Sequence, residues 1–225
     1  MKKTILLLIL SSLTQINQLH AYNFTLMIDP AGDAKHTGRE IGDSFERGIT
    51  LQCAEKLKTM IEERYPEVRV VLTRFPGETL QPLQNANFSN RLDVNFYLSI
   101  HFYHDQATRP SLYLYAFSYG DDFVIKTTDL TFYPYDKAYL ISTNTTHTWA
   151  TTMQKQLSNA SYQKQFDCKG CFYLPFAPLI GVKSPAIALE IGLKTKHDWQ
   201  LYLEPIIASI TPIINKGVSQ NNSPI

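Results

Sequence analysis

Phe24-Thr-Leu-Met-Ile-Asp-Pro30 is an apolar run that stops at an Asp-Pro pair. This pattern predicts a strand buried on both faces that empties into a loop. The next segment, from Pro30 to Phe45, is rich in Gly, Asp and Lys and reads as that loop. Beyond it Ile49, Cys53, Ala54, Leu57, Met60 and Ile61 recur at helical spacing, predicting an amphipathic helix over Glu46 to Tyr65 that Pro66 ends. Val68 to Thr73 is β-branched, Leu83 to Leu92 is a candidate second helix, and Phe96 to His101 is a third strand. Strands alternating with crossover helices define an α/β class with parallel neighbours.

The later chain continues this pattern. Ser111 to Phe117 alternates like a strand, Thr146 to Leu157 suits a helix, Ala186 to Ile191 is a buried strand introduced by Pro185, and Trp199 to Ile214 is a closing helix. Tyr119 to Ser142 has no clean period and reads as an insertion or long loop over one face. The expected architecture is a single three-layer domain, a mostly parallel sheet flanked by helices, over residues 22–217. Residues 218–225 read as a flexible tail.

The N-terminus runs from Met1-Lys2-Lys3 through apolar Ile5 to Leu10 and reaches Ala21, the layout of a signal peptide over residues 1–21. Its apolar core is well short of the roughly 20 residues a membrane-spanning helix needs, so export without stable membrane insertion is expected, to the periplasm, cell wall or exterior. The chain carries 21 Lys and Arg against 20 Asp and Glu, and loss of Lys2 and Lys3 takes the formal charge from +1 to −1. Such a balance offers no electrostatic footprint for nucleic acid. Cys53 reads as a small core residue. Cys168 and Cys171 read first as a local staple or two free thiols, ahead of a redox or metal motif.

In an open α/β sheet, sites form beyond the carboxyl ends of the strands. Asp29, His36 on the first loop, Glu46 at the helix start, His101 at a strand end and Glu190 near the end of the last strand all belong there. Two imidazoles and two further carboxylates form the inventory of a catalytic zinc centre with a separate base. Singly, Glu46 also reads as a helix-dipole carboxylate and His101 as a hydrogen-bonded strand-end residue. Glu190 interrupts the apolar run Ala186-Ile-Ala-Leu-Glu-Ile191, where an unpartnered carboxylate is costly.

In order and spacing these pieces resemble the zinc-dependent N-acetylmuramoyl-L-alanine amidases with a parallel-sheet catalytic domain. Phe24 to Pro30 is similar to the family's opening strand, Phe45-Glu-Arg-Gly-Ile-Thr-Leu51 to its ligand-bearing helix start, Val70-Val-Leu-Thr-Arg74 to its second strand, Tyr97-Leu-Ser-Ile-His101 to the strand with a ligand His, and Ser184 to Gly192 to the strand with the catalytic Glu. The resemblance implies zinc held by Glu46 and His101, Glu190 as the base, and peptidoglycan as substrate, with an activator protein as a further expected partner. One ligand position departs from the family: Asp29-Pro30 is followed by Ala31-Gly32 where relatives carry Gly-His. His36 is the first candidate to replace that ligand and His104 the second, while an exposed, non-ligating His36 stays an open reading. Asn85 stands where relatives usually carry Arg; His147 and His197 are assigned to the surface. A silent fold that binds peptidoglycan or regulates an amidase, and a zinc hydrolase of other specificity, are the alternatives.

Overall fold

The computed structural model describes residues 22–81, 83–119 and 134–221. The expected signal peptide at 1–21, most of the insertion (120–133) and residues 222–225 lie outside the described residues.

Strand β1 (Phe24–Pro30) leads through the short pair β2 (Glu40–Ile41) and β3 (Ser44–Phe45) into helix α1 (Glu46–Arg64). There follow β4 (Val68–Leu72), α2 (Gln84–Leu92), β5 (Phe96–His104), β6 (Ser111–Phe117), α3 (Thr143–Leu157), β7 (Asp167–Leu174), β8 (Ala186–Leu193) and α4 (Leu203–Asn221). Six strands form one sheet in the order β4-β1-β5-β8-β6-β7. All neighbouring pairs are parallel except β6 and β8. The α/β class and the mostly parallel sheet therefore match the expectation.

Alternation along the strands sorts side chains into two layers. Leu26 and Ile28 of β1, with Leu98 and Ile100 of β5, face Ile49, Cys53, Leu57 and Ile61 of α1, Trp149 and Met153 of α3, and Ile206 and Ile210 of α4. Met27, Tyr97, Ala186 and Ala188 face the opposite way, toward Ala86 of α2, Leu179 and Val182. Burial of this kind stabilises by about 1.5–3 kcal/mol for each large apolar side chain. Cys53 is fully buried, and burial pushes its thiol pKa far up, so it serves as an inert core residue.

Three elements differ from the expectations. The closing helix begins as a 3-10 turn over Asp198–Tyr202 and becomes α-helical at Leu203, continuing through Ser219 to Asn221. Pro205 lies in its first turn, where no donor is needed. Cys168 and Cys171 sit on β7, a strand that the Lys and Gly between them hid; both thiols are free. Residues Tyr135–Ile141 of the expected insertion form a 3-10 helix.

The turn after β5 is pinned by Asp105. Its carboxylate accepts from the backbone N–H of Ala107 and Ser111 at 2.9 Å each and from the Tyr103 hydroxyl at 3.2 Å. Burial raises the Asp105 pKa, but these donors outweigh it and hold the carboxyl below its ordinary value.

Candidate active site

Registry alone brings the two key side chains of the central strands together. In the parallel pair β5–β8, His101 lies opposite Glu190. Both belong to the face that carries α2, at the carboxyl end where that layer stops. Glu46, the first residue of α1, enters from the side and is 4% exposed. Its Oε1 accepts the Phe102 backbone N–H at 3.0 Å and its Oε2 the Arg39 backbone N–H at 3.1 Å. The His101 Nδ1 lies 3.5 Å from Oε1. Burial raises the Glu46 pKa, yet the His101 imidazole and the two backbone donors outweigh it and keep the carboxyl below its ordinary value.

A polar chain beneath the site orients the imidazole. Ser99 Oγ donates to Asp29 Oδ2 at 2.9 Å, and His101 Nε2 lies 3.0 Å from the same Oγ. Asp29 Oδ1 accepts from Thr73 Oγ1 and from Asn85 Nδ2, both at 2.7 Å. Asn85 thus spends its amide on Asp29 at the base of the site. Since the single Ser99 proton goes to Asp29, the network assigns a proton to His101 Nε2. In a neutral ring Nδ1 then turns a lone pair on Glu46, an arrangement that asks for a proton or a cation between the two atoms. Their 3.5 Å separation also suits one edge of a zinc tetrahedron with bonds of about 2.0–2.2 Å.

The third ligand position is different. Gly32, where the family resemblance led us to expect a ligand His, has φ +77°, and a Cβ there would approach Arg47 Cβ to 2.8 Å and the His36 carbonyl oxygen to 3.0 Å. The loop is held in this course by Arg74, whose guanidinium donates to the carbonyls of Pro30, Ala31 and Arg47, and by Thr50, which donates to Ala31. His36 lines a cleft of about 270 Å³ together with Asp29 and His101. Its ring, however, is 67% exposed and engages Asp33, with Nδ1 3.1 Å from both carboxylate oxygens. Of the three expected ligands the structure brings Glu46 and His101 together, while His36 engages Asp33, three residues away on the short loop. His104 is exposed, and an odd offset of three along the strand turns it away from the His101 face. Among the described residues no group of three His, Cys, Asp or Glu side chains is placed to hold a metal ion. Glu46 and His101 fit two ligand positions, and the residues present do not complete a three-ligand catalytic zinc centre.

Glu190 has partners that sequence reasoning missed. Its Oε2 accepts the Tyr115 hydroxyl at 2.8 Å, and its Oε1 meets the Arg39 guanidinium at 2.5 Å. Tyr115 sits in a row of rings: it stacks on Phe176 at 4.7 Å, is parallel to Tyr113 at 6.3 Å, and lies 6.2 Å from Phe172, which is 43% exposed. Phe176 also meets the His101 ring edge-on at 5.2 Å. The alternation of Tyr113 and Tyr115 on β6 was visible in the sequence, but their neighbour β8 was not. His147, assigned to the surface, is partly buried and stacks on Tyr173 at 4.1 Å; His197 is exposed as expected.

A parallel-sheet domain that gathers a base-like carboxylate, an imidazole and a second carboxylate at its strand ends has the layout of a hydrolase. The family model for N-acetylmuramoyl-L-alanine amidase matches residues 26–218, and the chain belongs to that family of amidase-like hydrolases. Among curated proteins, the N-acetylmuramoyl-L-alanine amidase CwlM of Bacillus licheniformis is 31% identical over 90 residues, 40% of this chain and 36% of that protein. The match thus spans about a third of that relative's length. The catalytic domain of CwlV, an N-acetylmuramoyl-L-alanine amidase from Bacillus (Paenibacillus) polymyxa var. colistinus, superposes with a TM-score of 0.63 at 20% identity, covering 85% of this chain and 98% of that one. The CwlD amidase of Clostridioides difficile, solved in complex with the GerS lipoprotein, gives 0.53 at 19% identity over 88% and 99%. At these identities the solved structures establish the shared fold.

Proposed function

We propose that this chain hydrolyses the amide joining N-acetylmuramic acid to L-alanine in peptidoglycan, with Glu190 as the proton-transferring group. The observation that carries the reading is the placement of Glu190 in register with His101, beside the Glu46–His101 pair, in a chain of the amidase family. Glu190 accepts a proton from the attacking water and returns it to the leaving amine, a role worth about 10²–10⁴-fold in rate. Tyr115 fixes the carboxylate by its donated hydrogen bond, and the ring row from Phe176 to Phe172 offers flat apolar faces beside it for a sugar of the glycan strand.

The zinc dependence usual in the family reaches this chain only through Glu46 and His101, which would hold the ion. Export to the cell wall or periplasm follows from the layout of residues 1–21, and among the described residues no helix is long and apolar enough to cross a membrane. A lipoprotein-type activator is proposed by likeness to the CwlD complex.

The test is incubation of the mature protein with purified peptidoglycan, with and without added zinc, and mass spectrometry of the soluble products. Peptides with a free N-terminal L-alanine, absent with Glu190→Gln, are expected. Sedimentation with intact peptidoglycan but no released peptide under either condition overturns hydrolysis. That outcome favours a second reading, a binding member of the family, for which the two-ligand site is the specific support.

A further inference from the structure

Arg39 plays no part in the ligand inventory, yet it is the side chain that meets the candidate base. Its main chain is fixed on Glu46: its N–H donates to Oε2 at 3.1 Å and its carbonyl accepts the Glu46 N–H at 2.8 Å. From that anchor the side chain crosses the face of Tyr103, with the guanidinium carbon 5.9 Å from the ring centroid, and ends 2.5 Å from Glu190 Oε1. The Arg39 side chain is 49% exposed and that of Glu190 15%. With Tyr115 on Oε2, both oxygens of Glu190 are engaged in the free protein.

An attacking water must compete with the guanidinium for Oε1 and with the Tyr115 hydroxyl for Oε2. Arginine stays charged at every relevant pH, so an anion on the substrate competes with Glu190 for it. Half exposed and joined to Glu190 by a single close contact, it is free to swing on its long side chain. The planar fork of N–H donors matches a carboxylate bidentately.

We propose that Arg39 is the specificity-determining receptor for a carboxylate on the peptide part of the substrate, and that transfer of its guanidinium from Glu190 to that carboxylate releases Glu190 for catalysis. Selection of an acidic peptide and release of the base are then one movement. The inference rests on the muramoyl-peptide reading of the site, and its ligand class is an anionic peptide attached to an amino sugar.

The experiment is calorimetric titration of the full mature protein with two muramoyl dipeptides, one with free carboxylates and one with the carboxyls amidated. Wild type is expected to prefer the free acid by about tenfold or more, the scale of one charge-assisted bidentate contact. Arg39→Gln loses the preference, and Arg39→Lys, which keeps the charge without the fork, retains part of it. Glu190→Gln, which releases Arg39 beforehand, binds the acidic ligand more tightly than wild type; a merely structural Arg39 would not produce that gain. Equal binding of both ligands by wild type, or an undiminished preference in Arg39→Gln, overturns the inference while leaving the muramoyl-peptide reading in place. Failure of wild type to bind either ligand overturns both.

Discussion

His101 and Glu46 face each other through Nδ1 and Oε1 at 3.5 Å, with Nε2 committed to Ser99 and both Glu46 oxygens to backbone donors. Two ligands make a weaker metal site than three. Zinc is therefore expected to be lost on mild dialysis and to return on resupply. His101→Ala abolishes the uptake, whereas His36→Ala leaves it unchanged. Elemental analysis of the three proteins checks this; tight stoichiometric zinc that His36→Ala removes would show that His36 leaves Asp33 to complete the site.

Restoring a side chain at Gly32 does not repair the site. Positive φ together with the 2.8 Å approach to Arg47 makes Gly32→His destabilising by about 1–3 kcal/mol. A lowered melting temperature without gained zinc affinity is the expected result. A stable, zinc-binding variant would mean that the loop relaxes freely despite Arg74 and Thr50.

Tyr115 positions Glu190, so removing its hydroxyl alone separates positioning from ring packing. Tyr115→Phe is expected to lower kcat by roughly tenfold with little change in KM, a loss of about 1.4 kcal/mol in the transition state. Phe172→Ala, which shortens the exposed end of the ring row, should instead weaken binding of peptide-free glycan strands. Steady-state kinetics and glycan co-sedimentation tell the two apart, and an unchanged kcat in Tyr115→Phe removes Tyr115 from the positioning role.

The Asp105 turn gives a pH signature. Because its folded pKa is lowered, its contribution is fully present above the ordinary carboxyl value of 3.8 and is lost as pH falls through the folded value. Asp105→Ala removes acceptors for three donors and is expected to cost about 1–3 kcal/mol at pH 7. The gap from wild type should then close in acid. Denaturant unfolding of both proteins from pH 7 down to the acid limit checks the sign; a gap that widens on acidification refutes it.

Much of the layout was legible because it rests on local patterns. Apolar runs ending in Asp-Pro or opening with Pro185 name buried strands, the 49-53-54-57-61 spacing names one helix face, and a Glu inside 186–191 must answer to something. Strand β7 escaped because Cys-Lys-Gly-Cys breaks the period at the sheet edge, where its register with β6 shifts. His36 was drawn toward the site by loop composition, which says nothing of the nearer Asp33.

The alternation of apolar strands with helices through the first three strands, the place of Glu190 within an apolar run and the absence of a His after Asp-Pro were determined by the sequence alone, since each is a property of neighbouring residues. Only tertiary structure decided what those residues meet. Arg39 and Tyr115 come to Glu190 from 151 and 75 residues away in the chain, by a loop anchored on Glu46 and by the antiparallel pairing of β6 with β8. Contacts between elements far apart in sequence follow from strand order and register, and a single chain carries no local signal for either.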